Sequence, residues 1–266
     1  MSQETYTHGH HEAVLRSHSS RTAASSAAYL LPELGPGLDL LDVGCGPGTI
    51  TVDFARIVAP GHVVGIDMSA EVLESASKLA SENGVKVTFE HGDVYALGYA
   101  DASFDVVHAH QVLQHLADPV AALKEMKRVT RPGGIVAARD GDYSSFSWAP
   151  LVPELERWQE LYRAVARKNG GEPDAGRFLK RWALDAGFIE VRISSSIWTY
   201  ADLESCRWLG GVWADRCEHS ALGDQMVEYG FADREEVLEI ASAWREWAEK
   251  PDAYFSVPHG ELLAIA

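Results

Sequence analysis

Short apolar runs alternate with stretches of helical period through the first half of the chain, and that alternation sets the expected elements. LDLLDV (38–43) predicts a strand and TITVDFARIV (49–58) a helix. HVVGID (62–67) predicts the next strand, and the run from Ser69 a helix closed by Gly84. KVTFE (86–90) and FDVVHA (104–109) read as further strands. Asp118-Pro119 is an N-cap and first-turn pair that opens a helix through Val129, after which RPGG turns the chain into a strand, GIVAAR (134–139). Ahead of all these, the Ala-rich segment 11–31 predicts one or two helices ending before Pro32. Repeated strand–helix units imply a parallel, doubly wound sheet with helices on both faces.

Beyond Arg139 the regularity loosens. A proline-bounded segment (150–172) precedes the helix AGRFLKRWALDAG and the strand FIEVRISSS, and a Trp-rich helical stretch (201–250) follows. The closing run, ELLAIA, is most simply a last strand added back to the sheet. Segments of about 141–172 and 201–256 are then insertions that leave from one region of the fold and form a lid. The expected organisation is an N-terminal helical cap (1–35), a ligand-binding core (36–140) and a remainder (141–266) carrying both insertions.

Charge narrows the partners. Thirty-nine acidic residues against 23 basic ones give a formal net charge of −16, a field that repels nucleic acid and anionic lipid. The polar, His-rich start has no basic-then-apolar leader pattern, and no apolar run approaches the ~20 residues of a membrane span, so a cytoplasmic protein is expected. The three cysteines lack CxxC spacing and are odd in number, which suits a reducing compartment. All eight tryptophans lie from Trp148 onward, so the two halves differ in character.

The stretch LLDVGCGPGTI (40–50) sets Gly44, Gly46 and Gly48 between the first strand and its helix, at the carboxyl edge where doubly wound folds bind ligands. An ordinary tight turn would also use glycines. Asp67, however, ends the second strand about 20 residues further on, where a carboxylate accepts from both ribose hydroxyls of a nucleotide. That geometry serves NAD as well as S-adenosylmethionine.

In order, DVGCGPGT, GIDMS, HGDVYAL, SFDVVHAHQVLQHLADP and RVTRPGG resemble the class I S-adenosylmethionine-dependent methyltransferases, in particular the small-molecule group that includes quinone C-methyltransferases. The resemblance covers about residues 38–139. It implies a Rossmann-like, doubly wound, seven-stranded α/β sheet with a reversed last strand, which suits ELLAIA. By the same resemblance Gly44, Cys45, Gly46 and Gly48 form the loop beside the amino-acid moiety of S-adenosylmethionine. Asp67 then holds the ribose, Met68 packs on the adenine, Asp93 accepts from the adenine amine with Val94 beside it, and His110 lies next to the methionine portion. Asp42 orients the loop or reaches the ammonium indirectly. Apart from the resemblance, the cluster HGHH (8–11) has a spacing that suits a metal, but it reads better as part of an N-terminal cap from which Tyr6 and Arg21 close over the cofactor. A nicotinamide-dependent oxidoreductase is the alternative, but it predicts GxGxxG and gives no reason for RPGG or HGDVYAL.

Methyl transfer needs positioning and, for an oxygen or carbon nucleophile, a base. There is no PPY-type tetrapeptide and no Pro-Cys nucleophile. The fourth strand ends in HAHQ, without the carboxylates of metal-dependent catechol-type enzymes, and no metal is expected. Asp140 and Asp142 offer two carboxylates on one loop, a pair more often solvated or capping. His115 and His110 are the first candidates for the base, with Asp142 and Tyr143 behind them. Arg139, with Trp148, Trp208 and Trp213 from the insertions, is expected to line an apolar or aromatic acceptor site, although tryptophans at helical spacing also serve as core. The expected activity is methylation of an oxygen or carbon of a small, largely apolar or aromatic molecule. A catalytically silent, cofactor-binding interaction protein is the second class, and the sequence leaves a homodimer open.

Overall fold

The computed structural model describes residues 21–266. Its first elements follow the alternating pattern closely: β1 (Leu40–Val43), α2 (Thr49–Val58), β2 (Val63–Asp67), α3 (Ala70–Glu82), β3 (Thr88–His91) and β4 (Phe104–His110). α2 buries one stripe, including Ile50, Phe54 and Val58. Ser69 caps α3 by accepting from the Val72 N–H at 3.4 Å, and Asp118 caps α4 (Pro119–Val129) by accepting from Ala121 N–H at 2.9 Å.

β5 (Thr130–Gly141) begins earlier than expected. Thr130 pairs with Phe104 and Ile135 with Val106, so Arg131–Gly134 bulges out within one strand instead of turning into it. The N-terminal expectation is corrected in part. Only a four-residue helix, α1 (Ala23–Ser26), is found between residues 21 and 30, and Pro32 lies inside a 3-10 turn, Leu31–Glu33, rather than after a helix.

β6 (Ser147–Ala149) and α5 (Pro153–Lys168) fill the first expected insertion. α6 (Leu179–Asp185) and β7 (Val191–Tyr200) return to the core, and α7 (Leu203–His219), α8 (Ala221–Glu228) and α9 (Arg234–Ala248) fill the second. β8 runs over Tyr254–Ile265, twice the length that ELLAIA suggests, so the second insertion ends before residue 254.

The strand order is β3-β2-β1-β4-β5-β8, with β7 and the short β6 both pairing to β8. β1 to β5 are parallel, and β8 is antiparallel to both β5 and β7. Seven long strands therefore make the expected sheet with its reversed last strand, and β6 is an eighth, three-residue addition. One face packs Leu41, Val107, Ala138 and Leu262 against α4 and α6, and the other packs Leu40, Val106 and Leu263 against α1 and α2.

β8 reaches past the end of β5. Its lower half pairs with β5, from Ile135↔Ile265 to Gly141↔His259, while Tyr254–Ser256 pair with β6 and Tyr200. That overhang carries a third core, with Trp158, Trp244 and Trp247 packed on Phe255 and Trp213 on Trp158 and Trp244, between α5, α7, α8 and α9. Gly210 lets α7 and α9 meet closely, since a Cβ there would lie 2.6 Å from the Trp244 carbonyl oxygen. The helical layer thus stands beside the carboxyl edge of the parallel strands, held by two strands that belong to both.

Candidate active site

Tight backbone geometry forms the loop between β1 and α2. Gly44, Gly46 and Gly48 have φ of +64°, +55° and +79°, a region that side chains other than glycine rarely adopt. A Cβ at Gly44 would strike Val112 at 2.5 Å and one at Gly48 would meet Ala76 at 2.9 Å, whereas Gly46 faces open space. The close approach at two of the three glycines is therefore to the protein's own side chains, and of the three it is Gly46 that leaves space above the loop.

Asp67 ties this loop down. Its Oδ2 accepts from Gly46 N–H and its Oδ1 from Ser69 N–H, both at 3.0 Å. Each oxygen keeps a second lone pair for a ligand hydroxyl. Met68 follows with 62% of its surface exposed. β3 pairs with β2 through Asp67↔His91, which brings Asp93 to the same edge. Asp93 is exposed and uses Oδ1 to accept from Tyr95 N–H at 2.9 Å, while Val94 is buried with Ile66 and Leu97. Cys45 is buried, and desolvation followed by Asp42 and Asp67 pushes its thiol far up. It serves as packing under the loop. Asp42 is buried as well and joins three elements, accepting from the Thr51 hydroxyl of α2 at 2.5 Å and meeting His108 Nδ1 of β4 at 2.7 Å.

His108 and His110 lie on the α2 face of β4, where the sheet carries a row of polar groups. His110 is opposite Arg139 in register, and Arg139 is opposite Glu261. Arg139 is 1% exposed: it donates to Ser196 Oγ from Nε and Nη2, sits 3.5 Å from Glu261 and lies over the Trp198 ring. It is thus part of the sheet's interior rather than of an open wall. His259 donates from Nδ1 to the Val257 carbonyl at 2.9 Å, because a carbonyl can only accept. Its Nε2 then accepts from the Gln111 amide at 2.8 Å, and Gln111 Oε1 accepts from Arg21 at 2.7 Å. Gln111 has φ of +54°, the backbone kink at the end of β4.

Burial first, then Arg21 and Arg139, hold His110 well below the usual imidazole range. Neither of its ring nitrogens has a hydrogen-bond partner among the described residues. His115 ends a 3-10 turn, Leu113–His115, with its Nε2 3.1 Å from the Gln114 amide, and burial followed by Arg21 and Arg216 lowers it to about 3. Both imidazoles are neutral near pH 7.

Three of the expected residues do other work. Asp142 accepts from Arg177 Nε at 2.6 Å and Nη2 at 2.5 Å, an ion pair that holds the loop after β5. Tyr143 is buried and stacks on Tyr162 at 4.0 Å, where burial raises its phenol. Trp213 is 5% exposed within the helical core, edge-on to Trp158 at 4.5 Å. Asp140 points elsewhere than Asp142: its Oδ1 accepts from Gln114 N–H at 3.0 Å, and burial pushes its carboxyl up to about 7. Trp148 stacks on Phe255 at 5.8 Å, in the overhang. Trp208 stacks on Tyr200 and, with Arg21, Ser25, Trp198 and Ser205, lines a recess of about 520 Å³ where β7 meets α7. Tyr6 and the 8–11 histidines lie outside the described residues. Among the described residues, no group of three or more His, Cys, Asp or Glu gathers as metal ligands do.

Sequence reasoning missed Trp198, His259, Gln111 and Arg216. Alternation along β7 offered a signal for the first, since Ser194, Ser196 and Trp198 share one face. The others offered none, because their partners are 148 residues apart in the case of Gln111 and His259.

A family described as a methyltransferase domain matches residues 34–187. An uncharacterised methyltransferase of Schizosaccharomyces pombe is 36% identical, over 97% of this chain and 95% of that protein. The ubiquinone/menaquinone biosynthesis C-methyltransferase of Bdellovibrio bacteriovorus is 47% identical, over 66% of this chain and 75% of its own. Among solved structures, the YcgJ protein of Bacillus subtilis shares the fold with a TM-score of 0.58 at 22% identity, over 90% of this chain and 96% of the other. Among the described residues, no helix is long and apolar enough to cross a membrane. These likenesses, over a loop and edge shaped for a nucleoside ligand, set the nicotinamide alternative aside: the chain belongs to the methyltransferase-domain family and is an S-adenosylmethionine-dependent methyltransferase.

Proposed function

We propose that the enzyme methylates an oxygen or carbon of a small, largely apolar or aromatic molecule held between the carboxyl edge of β1–β5 and the helical layer. The observation that carries this reading is the position of two neutral imidazoles, His110 and His115, at the end of β4 between those two regions.

The donor side fits the cofactor. Gly46 leaves open space at the loop, Asp67 has lone pairs for the ribose hydroxyls, Met68 offers an exposed face for the adenine, and Asp93 an exposed carboxylate for its amine. Bound there, S-adenosylmethionine supplies an electrophilic methyl group on a good leaving group. The chain contributes orientation and exclusion of water, which shorten the approach of the acceptor. His115 accepts the proton that the acceptor loses. Lowered to about 3, it is a weak base that takes the proton as the bond to the methyl group forms, which favours acceptors with an acidified O–H or C–H, such as a phenol or an enol. Trp208 and Trp198 contribute flat surface for the acceptor ring.

The test is incubation of the purified protein with methyl-labelled S-adenosylmethionine and metabolite extract, with mass spectrometry for molecules that gain one label. A labelled phenolic or enolic product supports the reading. Labelled amines alone, or no label from a protein that binds the cofactor, contradict it; the latter outcome favours the interaction-protein class.

A further inference from the structure

Arg216 lies in the helical layer with 4% of its surface exposed, and its Nε and Nη2 are buried without a hydrogen-bond partner among the described residues. Its guanidinium lies 4.7 Å from the centre of the Trp213 ring. The adjacent acidic side chains are turned away: Asp215 and Glu218 both accept from Arg245 of α9, at 3.3 and 2.6 Å. Guanidinium groups stay charged in proteins, and a buried one without an anion is strongly disfavoured. Among the described residues, then, a costly charge is kept in an apolar layer without a carboxylate paired to it.

Its direction on α7 is informative. Cys206, Gly210, Trp213 and Cys217 recur at intervals of three to four residues and form the stripe buried against α9. Arg216 is eleven residues, about three turns, beyond Ser205, so the two share a side of the helix about a quarter-turn from that stripe. Ser205 and Trp208 line the recess between β7 and α7. The charge of Arg216 also bears on His115, Tyr143 and Tyr200, in each case together with Arg21. The geometry agrees: the guanidinium lies over Trp213, whose ring is 6.5 Å from Tyr143 just after β5, so Arg216 stands on the side of the layer that faces the carboxyl ends of the parallel strands.

We propose that Arg216 is the anchor for an anionic oxygen on the acceptor, a carboxylate or an ionised hydroxyl, and that the enzyme selects acidic acceptors through it. The inference rests on the methyltransferase reading and narrows its substrate class. An arginine fork matches two oxygens of a carboxylate at once, and the low dielectric of the layer strengthens the pair. The same charge favours ionisation of a neighbouring phenol or enol, which suits a site whose imidazoles are poor bases.

The experiment uses full-length protein saturated with S-adenosylhomocysteine and compares calorimetric titrations with benzoate and with benzamide, its neutral counterpart. Wild type is expected to bind benzoate at least about tenfold more tightly than benzamide, and Arg216→Met to bring that ratio near one while binding S-adenosylhomocysteine as before. The melting temperature of Arg216→Met is expected to equal or exceed that of wild type, because an uncompensated buried charge is gone, and benzoate is expected to raise it in wild type alone. The proposal is overturned if wild type shows no preference or binds neither probe, if the preference survives in Arg216→Met, or if the variant melts several degrees lower, which would make the guanidinium a packing element on Trp213. Failure of wild type to bind S-adenosylhomocysteine would instead strike at the methyltransferase reading itself.

Discussion

The edge of β1 to β4 and the layer over β7 and β8 solve different problems with different material. At the edge, the work is done by backbone: three left-handed glycines, the N–H groups of Gly46 and Ser69 on one carboxylate, and a short kink at Gln111. In the layer it is done by rings. Trp158, fully buried, meets Trp213, Trp244 and Phe255 within 4.5 to 6.3 Å. A backbone cradle fits one ligand shape, whereas an aromatic layer is reshaped by changing side chains. The difference explains why the proposed reading gives the cofactor to the edge and the choice of acceptor to the layer above it.

Four substitutions press on this contrast. Trp158→Ala carries the largest expected effect, a loss of about 3–5 kcal/mol in unfolding free energy. Because β7 and β8 run through both regions, the loss should appear in one cooperative transition of the whole chain, followed by denaturant titration. A separate early transition of the helical layer would break the link between the two.

Asp140→Asn comes next. Burial raises the Asp140 carboxyl to about 7, above the ~3.9 of an unfolded chain, so the folded form favours the proton. The contribution of Asp140 to stability is therefore full below pH ~4, falls as pH rises towards 7 and stays low above it. Asparagine keeps the acceptor for Gln114 N–H and abolishes the charge. The variant should be more stable than wild type at pH 8 by roughly 2–4 kcal/mol, with no gain near pH 4, as read from unfolding curves at both values.

Asp67→Asn should weaken S-adenosylhomocysteine binding by about 1.5–3 kcal/mol, the range for hydrogen bonds to a charged group. Trp208→Ala is the mildest. It should raise acceptor KM about fivefold, from loss of one ring of the recess, with kcat nearly unchanged in steady-state assays.

Legibility in the sequence follows the same division. The glycine loop and Asp67 are legible because a turn with φ above zero and a carboxylate at a strand end leave local marks, whereas Asp93 enters only through the family resemblance. The β8 strand was recognised from ELLAIA, but its extension to Tyr254 was not, since Pro258 and Gly260 interrupt the apolar pattern. Asp142 and Tyr143 looked like chemistry on a loop after β5. Arg177, 35 residues on, and Tyr162 on α5 claim them, and neither contact has a local signature. Trp213 and Trp208 are five residues apart on one helix. Which is core and which lines the recess depends on where α9 and β7 pack, and no spacing within α7 reveals that.

The measurement closest to the central claim is a calorimetric titration of S-adenosylhomocysteine into wild type, Asp67→Asn and Trp208→Ala. The account predicts that Asp67→Asn weakens binding by about 10- to 100-fold while Trp208→Ala stays within about twofold of wild type. Equal losses in the two variants, or a larger loss in Trp208→Ala, would contradict the assignment of cofactor to the sheet edge and acceptor to the layer above it.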